Sequence, residues 1–219
     1  MGFKNPFSAE RRSQRRAAKR RAELQQRYDF LSGELHAMAN HEDIVDEIEA
    51  LIIAKRGEEV LFVVDGVSLL ESRAGARYRG KSMGASIRVA KGVYLRPGVH
   101  GGQITQGPDE IKNLDSGQFC VTTRRCVFSG TRQTRTWEYS KLVAVDYSTS
   151  FEGRPAVMIP VENRQKTSGV QLDRGHVPYV QSRLGFPIAL FNEQDERYLQ
   201  AWREDVEQVE AELAELAEG

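Results

Sequence analysis

An α+β protein, with a β-rich body of antiparallel hairpins set between helical termini, is the fold class that the sequence predicts. Three observations carry it. Short β-rich runs, roughly six to eight of them, follow one another between Val60 and Leu172 with turn residues between them. Both ends of the chain instead repeat apolar residues every three and four positions. No alternation of strand and helix occurs in between, so the strands are expected to pair antiparallel, as a barrel or a sandwich.

Residues 8–39 are predicted to form one long helix with Ser8 as its N-cap. Leu24, Tyr28, Leu31, Leu35 and Met38 recur at spacings of 4, 3, 4 and 3, an apolar seam along its second half. Arg21 interrupts that seam, and the first half is polar all round. Asn40 is expected to cap a second helix that stops at Gly57, with Ile44, Val45, Ile48, Leu51 and Ile52 on one face. From Val60 the period becomes that of strands: Val60 to Val64, a two-residue hairpin signal at Asp65-Gly66, and a return over Val67 to Ser72. Arg73 to Gly84 reads as a loop. Ser86 to Ala90 and Val93 to Arg96 form a further hairpin about Lys91-Gly92, and the glycine-rich residues 97–108 read as a loop.

The densest strand signal lies in Leu114 to Asp146. Gln118 to Thr122 and Arg125 to Ser129 flank Thr123-Arg124, Gly130-Thr131 turns the chain into Thr134 to Tyr139, and Leu142 to Val145 follows. Ala156 to Val161 and Ser168 to Leu172 are the last strands. Val177 to Leu184 makes a short helix, with Pro178 where proline is tolerated. Asn192 then caps a final helix on which Leu199, Trp202, Val206, Val209, Leu213 and Leu216 recur at spacings of 3, 4, 3, 4 and 3. The expected organisation is a helical extension over residues 1–57, a β-rich domain over 58–185, and an acidic heptad helix over 186–219.

Within 114–146, Asp115, Gly117, Thr122, Arg125, Phe128, Gly130, Tyr139, Ser140, Lys141 and Leu142 stand in an order that resembles the core hairpins of bacterial pleckstrin-homology-like (GRAM-like) domains. The resemblance implies an antiparallel β-barrel with a C-terminal helix plugging one end, the place of Val177 to Leu184. It implies a headgroup site, where one exists, among the first hairpin loops. It implies no particular activity, since such domains include lipid binders and protein binders.

Composition narrows the function classes. The 219 residues carry no formal net charge, yet residues 1–27 hold nine cations against Glu10 and Glu23, and residues 192–219 hold ten acids against Arg197 and Arg203. Two ends of opposite sign predict that the terminal helices pair antiparallel, within one chain or between two. The arginine-dense N-terminus is no secretory signal, and no run approaches the roughly 20 apolar residues of a membrane span. A cytosolic protein is expected. Cys120 and Cys126 lack zinc-site spacing and are expected as reduced thiols in neighbouring strands, close to Trp137, in preference to a disulfide.

Gly75 to Ser82 formally matches the phosphate-loop pattern G-x-x-x-x-G-K-[ST]. Such a loop must run into a helix N-terminus, whose amides and dipole hold the phosphates. Met83 to Val89 alternates as a strand does, with Gly92 and Pro97 close behind. A loop between strands is therefore expected, and a nucleotide hydrolase is the weakest alternative. The wider segment Ser72 to Pro108 holds Arg73, Arg77, Arg79, Lys81, Arg88, Lys91 and Arg96 and no acid, with Tyr78 and Tyr94 interleaved. It is either a solvated loop with a salt-bridged face or a surface for lipid headgroups or nucleic-acid phosphates.

The arginine-rich segment 11–21 has three readings: a grip on nucleic acid, a contact with an anionic membrane, or a partner for the acidic helix. No large apolar residue lies between Ser8 and Arg21, which argues against membrane insertion. His36, His41, His100 and His176 are scattered, and no G-x-S-x-G nucleophile context occurs. No catalytic residue, metal or cofactor is expected. The sequence predicts a non-catalytic cytosolic binding or scaffolding module, self-associating through its heptads or contacting an anionic ligand or membrane surface. A nucleic-acid-binding protein using 11–21 and 73–96 is the alternative.

Overall fold

Two long strands organise the middle of the chain. In the computed structural model, which describes residues 6–40, 50–72, 87–90, 93–95, 111–162, 164 and 166–218, β1 (Val60–Ser72) and β4 (Ile111–Thr122) pair antiparallel from Val60↔Thr122 to Ser72↔Ile111. β5 (Arg125–Gly130) and β6 (Thr134–Glu138) continue the sheet beyond β4. On the other side of β1 lie β9 (Ser168–Gln171), β8 (Arg154–Met158) and β7 (Asp146–Phe151), giving the order β6-β5-β4-β1-β9-β8-β7, antiparallel throughout. A separate pair, β2 (Ile87–Ala90) and β3 (Val93–Leu95), is antiparallel as expected, and Lys91 and Gly92 lie outside the described residues. Among the described residues, three helices complete an α+β fold: α1 (Pro6–Asn40), α2 (Val177–Phe191) and α3 (Asp195–Glu218).

Several expectations give way to the structure. Asp65-Gly66 is not a hairpin turn. Val64 pairs with Phe119 and Val67 with Gly117, so Asp65 and Gly66 together oppose Gln118 in a bulge. Gly66 supplies the left-handed φ of 68° that the bulge needs, and Gln118 Nε2 donates to Asp65 Oδ1 at 2.8 Å to hold it. A turn signal in a chain whose two flanks both find partners on one long strand bends that strand and does not reverse it. Leu142 to Val145 makes a single bridge, Leu142↔Val161, in place of a strand, after a 3-10 turn over Tyr139–Lys141. The strand is β7, reversed at Glu152-Gly153, where both residues have positive φ as a tight two-residue turn requires. Residues 50–57 are not helical, although the expected second helix extends to Gly57. Residues 41–49, with Ile44, Val45 and Ile48, lie outside the described residues. Ser8 sits inside α1, which begins at Pro6.

A closed barrel was expected, and the described strands do not make one. The edge strands β6 and β7 are not paired with each other. The sheet nevertheless curls tightly. Trp137 on β6 donates its indole N–H to Ser168 Oγ on β9 at 3.2 Å, although three strands separate them in the sheet order. Main-chain bonds from Val143 to Pro160 (3.0 Å) and from Glu162 to Lys141 (2.8 Å) tie together the segments that follow β6 and β8.

One apolar cluster fills the curl and runs on beneath the helices. Phe62, Val64, Leu69, Phe119, Val121, Phe128, Trp137 and Val170 from the strands meet Val180, Leu184, Phe186 and Ile188 of α2. Tyr198, Leu199, Trp202 and Val209 of α3 and Leu24, Leu31 and Met38 of α1 join the same cluster. Fully burying each such side chain contributes roughly 1.5–3 kcal/mol, so the terminal helices are part of the folded body.

Candidate functional site

The two apolar seams read from the sequence face each other within one chain. Leu24, Leu31, Met38, Leu199, Trp202 and Val209 are buried, and Tyr28, Leu35, Val206, Leu213 and Leu216 pack against them half-buried. The direction is antiparallel: Arg20 lies 3.7 Å from Glu212, Arg27 acts electrostatically on Asp205, and Glu34 on Tyr198. Glu34 is buried on α1 and joined to α2. Ser182 Oγ donates to Glu34 Oε2 at 2.5 Å, and Arg183 Nη2 lies 3.3 Å from its other oxygen. Arg183 also stacks over Phe62 and Tyr179, which ties this pair to the sheet.

Beyond Leu24 towards the N-terminus, α1 changes character. Every residue from Arg11 to Glu23 is exposed. Arg11, Arg12, Arg15, Arg16, Lys19, Arg20 and Arg21 crowd three helical turns, and two ion pairs on this stretch, Lys19–Glu23 and Arg20–Glu212, are both 3.7 Å long and open to solvent. Solvated contacts of this length hold little energy, so Lys19 and Arg20 remain available to a stronger anion. This half of α1 is the candidate binding surface.

Of the cations predicted to bind anions in the loop region, Arg73, Arg77, Arg79, Lys81, Lys91 and Arg96 lie outside the described residues. So does the segment 75–82 with its phosphate-loop pattern. Arg88 is placed as a backbone position in β2, a strand that lies beside α2 and α3. Two of the histidines, His41 and His100, also lie outside the described residues. His36 bonds Asn40, and His176 precedes α2.

Each residue that carried the family resemblance, where its contacts are described, builds the hairpins. Asp115 accepts from the Arg132 N–H (2.8 Å), the Gln133 N–H (2.9 Å), the Ser116 N–H (2.9 Å) and Thr131 Oγ1 (3.2 Å). Those amide bonds, Arg132's above all, hold its carboxyl below the usual range and against the cost of desolvation. A side chain at Gly130 would collide with Asp115 and Phe128, so the turn admits only glycine there. Thr122 accepts from the Arg124 and Arg125 N–H groups at 3.1 Å. Arg125 forms a two-point pair with Glu58, its Nε 2.7 Å from Oε1 and its Nη2 3.0 Å from Oε2. Burial raises the Glu58 pKa, but Arg125, the Lys55 N–H and Thr122 outweigh it and bring the carboxyl down to about 2. Tyr139 donates to the Thr122 carbonyl at 2.8 Å.

Cys120 and Cys126 are free thiols in adjacent strands, and Cys126 pairs with Trp137 across β5 and β6, as expected. Cys120 opposes Val127 and Val121 opposes Cys126, so the two thiols point to opposite faces. Burial pushes Cys120 up to about 11 and Cys126 higher still, which leaves both as unreactive thiols at neutral pH. Among the described residues, no group of three or more His, Cys, Asp or Glu is placed to hold a metal ion. No described helix is long and apolar enough to cross a membrane. No protein-family model matches the chain, and no curated protein matches it.

Sequence reasoning missed two of the buried carboxylates, Glu34 and Glu58. Glu34 falls one residue before Leu35 of the seam, where the heptad reading assigns a flank. Glu58 follows a glycine that reads as a helix stop. A glutamate at the border of a buried face, with arginine elsewhere able to reach it, is the signal that was there.

Proposed function

We propose that the protein is a non-catalytic binding module: a β-rich body of pleckstrin-homology-like type that carries a two-helix arm and offers the arm's cationic end to an anionic partner. One observation carries this reading. The apolar seam of α1 is covered by α3 of the same chain, while the cations of residues 11–21 stand in solvent. What α1 leaves to an outside partner is charge. Packing of α2 against the curled antiparallel sheet supports the pleckstrin-homology-like type, in which a C-terminal helix closes one end. The reading places the protein in the cytosol, where its buried, unlinked cysteines are at home.

Because the formal net charge is zero, retention on a polyanion requires a segregated cationic surface. Full-length protein is therefore expected to bind a heparin column at neutral pH and low salt and to elute as salt rises. Flow-through without delay would remove the reading. Sedimentation is expected to give a monomer, since the seams are already paired.

A further inference from the structure

We infer that the arginine face of α1 docks the phosphate backbone of a nucleic acid; the inference rests on the binding-module reading and narrows its partner. Arg11, Arg15 and Lys19 succeed one another at steps of four, as do Arg12, Arg16 and Arg20. On an α-helix these form two neighbouring files that climb about 6 Å per step. The seam that faces α3, extended back from Leu24, falls on Ala17 and Arg21 and not on either file. Arg20 flanks α3 through Glu212, so the file of Arg12, Arg16 and Arg20 runs beside α3, and the file of Arg11, Arg15 and Lys19 lies on the side turned away from it.

Three features favour a nucleic acid over a flat anionic membrane. Six of the seven cations are arginine, whose planar fork takes phosphate oxygens two at a time and stacks on bases, where a lysine acts as a point charge. Between them stand only Ser13, Gln14, Ala17 and Ala18, so the face has no apolar group to bury at an acyl boundary. Third, the arm as a whole is nearly balanced, with the acids of α3 on the helix packed beside α1. Packed helices lie roughly 8–10 Å apart, about one Debye length in physiological salt. An extended flat surface meets both charges and gains little, whereas a narrow polymer lies along the arginine files alone.

Fluorescence anisotropy of the full chain with a labelled single-stranded RNA and a labelled DNA duplex, beside co-sedimentation with phosphatidylserine vesicles, tests this. For roughly five phosphate contacts, log K should fall with log salt at a slope of about −3.5 on the single strand and about −4.5 on the duplex. The triple variant Arg11→Ala, Arg15→Ala, Arg16→Ala should flatten the slope by about 2 to 3 and weaken binding about tenfold or more, with Tm unchanged. The matching lysine variant should keep the slope and lose part of the affinity. The two nucleic acids distinguish RNA from DNA as the source of the phosphates. Wild-type affinity in the alanine variant, or vesicle binding stronger than nucleic-acid binding, overturns the inference. Heparin retention without nucleic-acid binding overturns it too, yet leaves the binding-module reading in place. Loss of heparin retention removes both.

Discussion

The two halves of α1 share one uninterrupted helix and differ in almost everything else. From Leu24 to Met38 the helix is pinned to α2 and α3 by Leu24, Leu31 and Met38, and it buries a carboxylate, Glu34, against Ser182 and Arg183. From Arg11 to Glu23 no residue is buried, and the charges are solvated. Intrinsic propensity does not distinguish the halves, since arginine and alanine are as good helix formers as leucine and methionine. The difference teaches that a helix can be continuous in backbone while its free-energy role switches within one turn. In the inner half, sequence changes act on stability. In the outer half they act on what the protein meets.

The strongest way to break that contrast is at Leu31, which is 2% exposed in the α1–α3–sheet cluster. Leu31→Ala removes buried methyl groups and leaves a cavity that two helices and a sheet cannot easily close, for an expected loss of about 2–5 kcal/mol. Urea unfolding should show a lower midpoint at an unchanged m-value. A loss below about 1 kcal/mol would mean that the inner half is peripheral, and the division of α1 would fall with it.

Charge can sharpen the same contrast, because the body contains a buried ion pair where the outer helix contains solvated cations. Glu58 has a fully buried side chain and pairs with Arg125, its pKa lowered from an ordinary 4.5 to about 2. A carboxylate whose folded pKa lies below its unfolded value contributes stability above the unfolded value and loses it as pH falls through the folded one. Between pH 4.5 and 2 the protein should therefore lose about 3 kcal/mol from this group alone. Glu58→Gln should lower stability at pH 7 and flatten the acid limb of the stability–pH curve. Parallel curves for wild type and variant, offset but equally steep, would show that Glu58 is not the titrating group.

Much of the fold was legible because its signals are local and additive. Strand alternation marked β5 and β6 within a residue and β4 only over its last part, Gln118 to Thr122, and the spacing of Leu24 to Met38 and Leu199 to Leu216 marked two seams that meet. What escaped needed a partner to interpret it. Asp65-Gly66 carries the letters of a hairpin, and only the length of β4 makes it a bulge. β7 was missed because Asp146 to Phe151 is mostly polar, an edge strand with one neighbour. The candidate site was legible as composition, since seven cations in 11–21 need no structure to be seen. Their availability was not, because it depends on α3 taking the seam and leaving the arginine files to solvent.

The smallest expected effect is the most telling. Arg15→Ala with Arg16→Ala removes two exposed side chains from a helix that meets α3 through its apolar seam and Arg20. Alanine is a slightly better helix former than arginine, and exposed charges on one another's flanks contribute at most about 1 kcal/mol. Unfolding stability should therefore stay within about 0.5 kcal/mol of wild type. Elution from heparin should nonetheless move to clearly lower salt, because two of the cations that neutralise the polyanion are gone. A variant that is markedly less stable would show the outer half to be part of the folding core, and its exposed arginines would then need a structural explanation. An unchanged elution position at unchanged stability would move the cationic surface elsewhere in the chain. Only the combination of preserved stability and lost retention fits a helix divided between holding the protein together and holding on to something else.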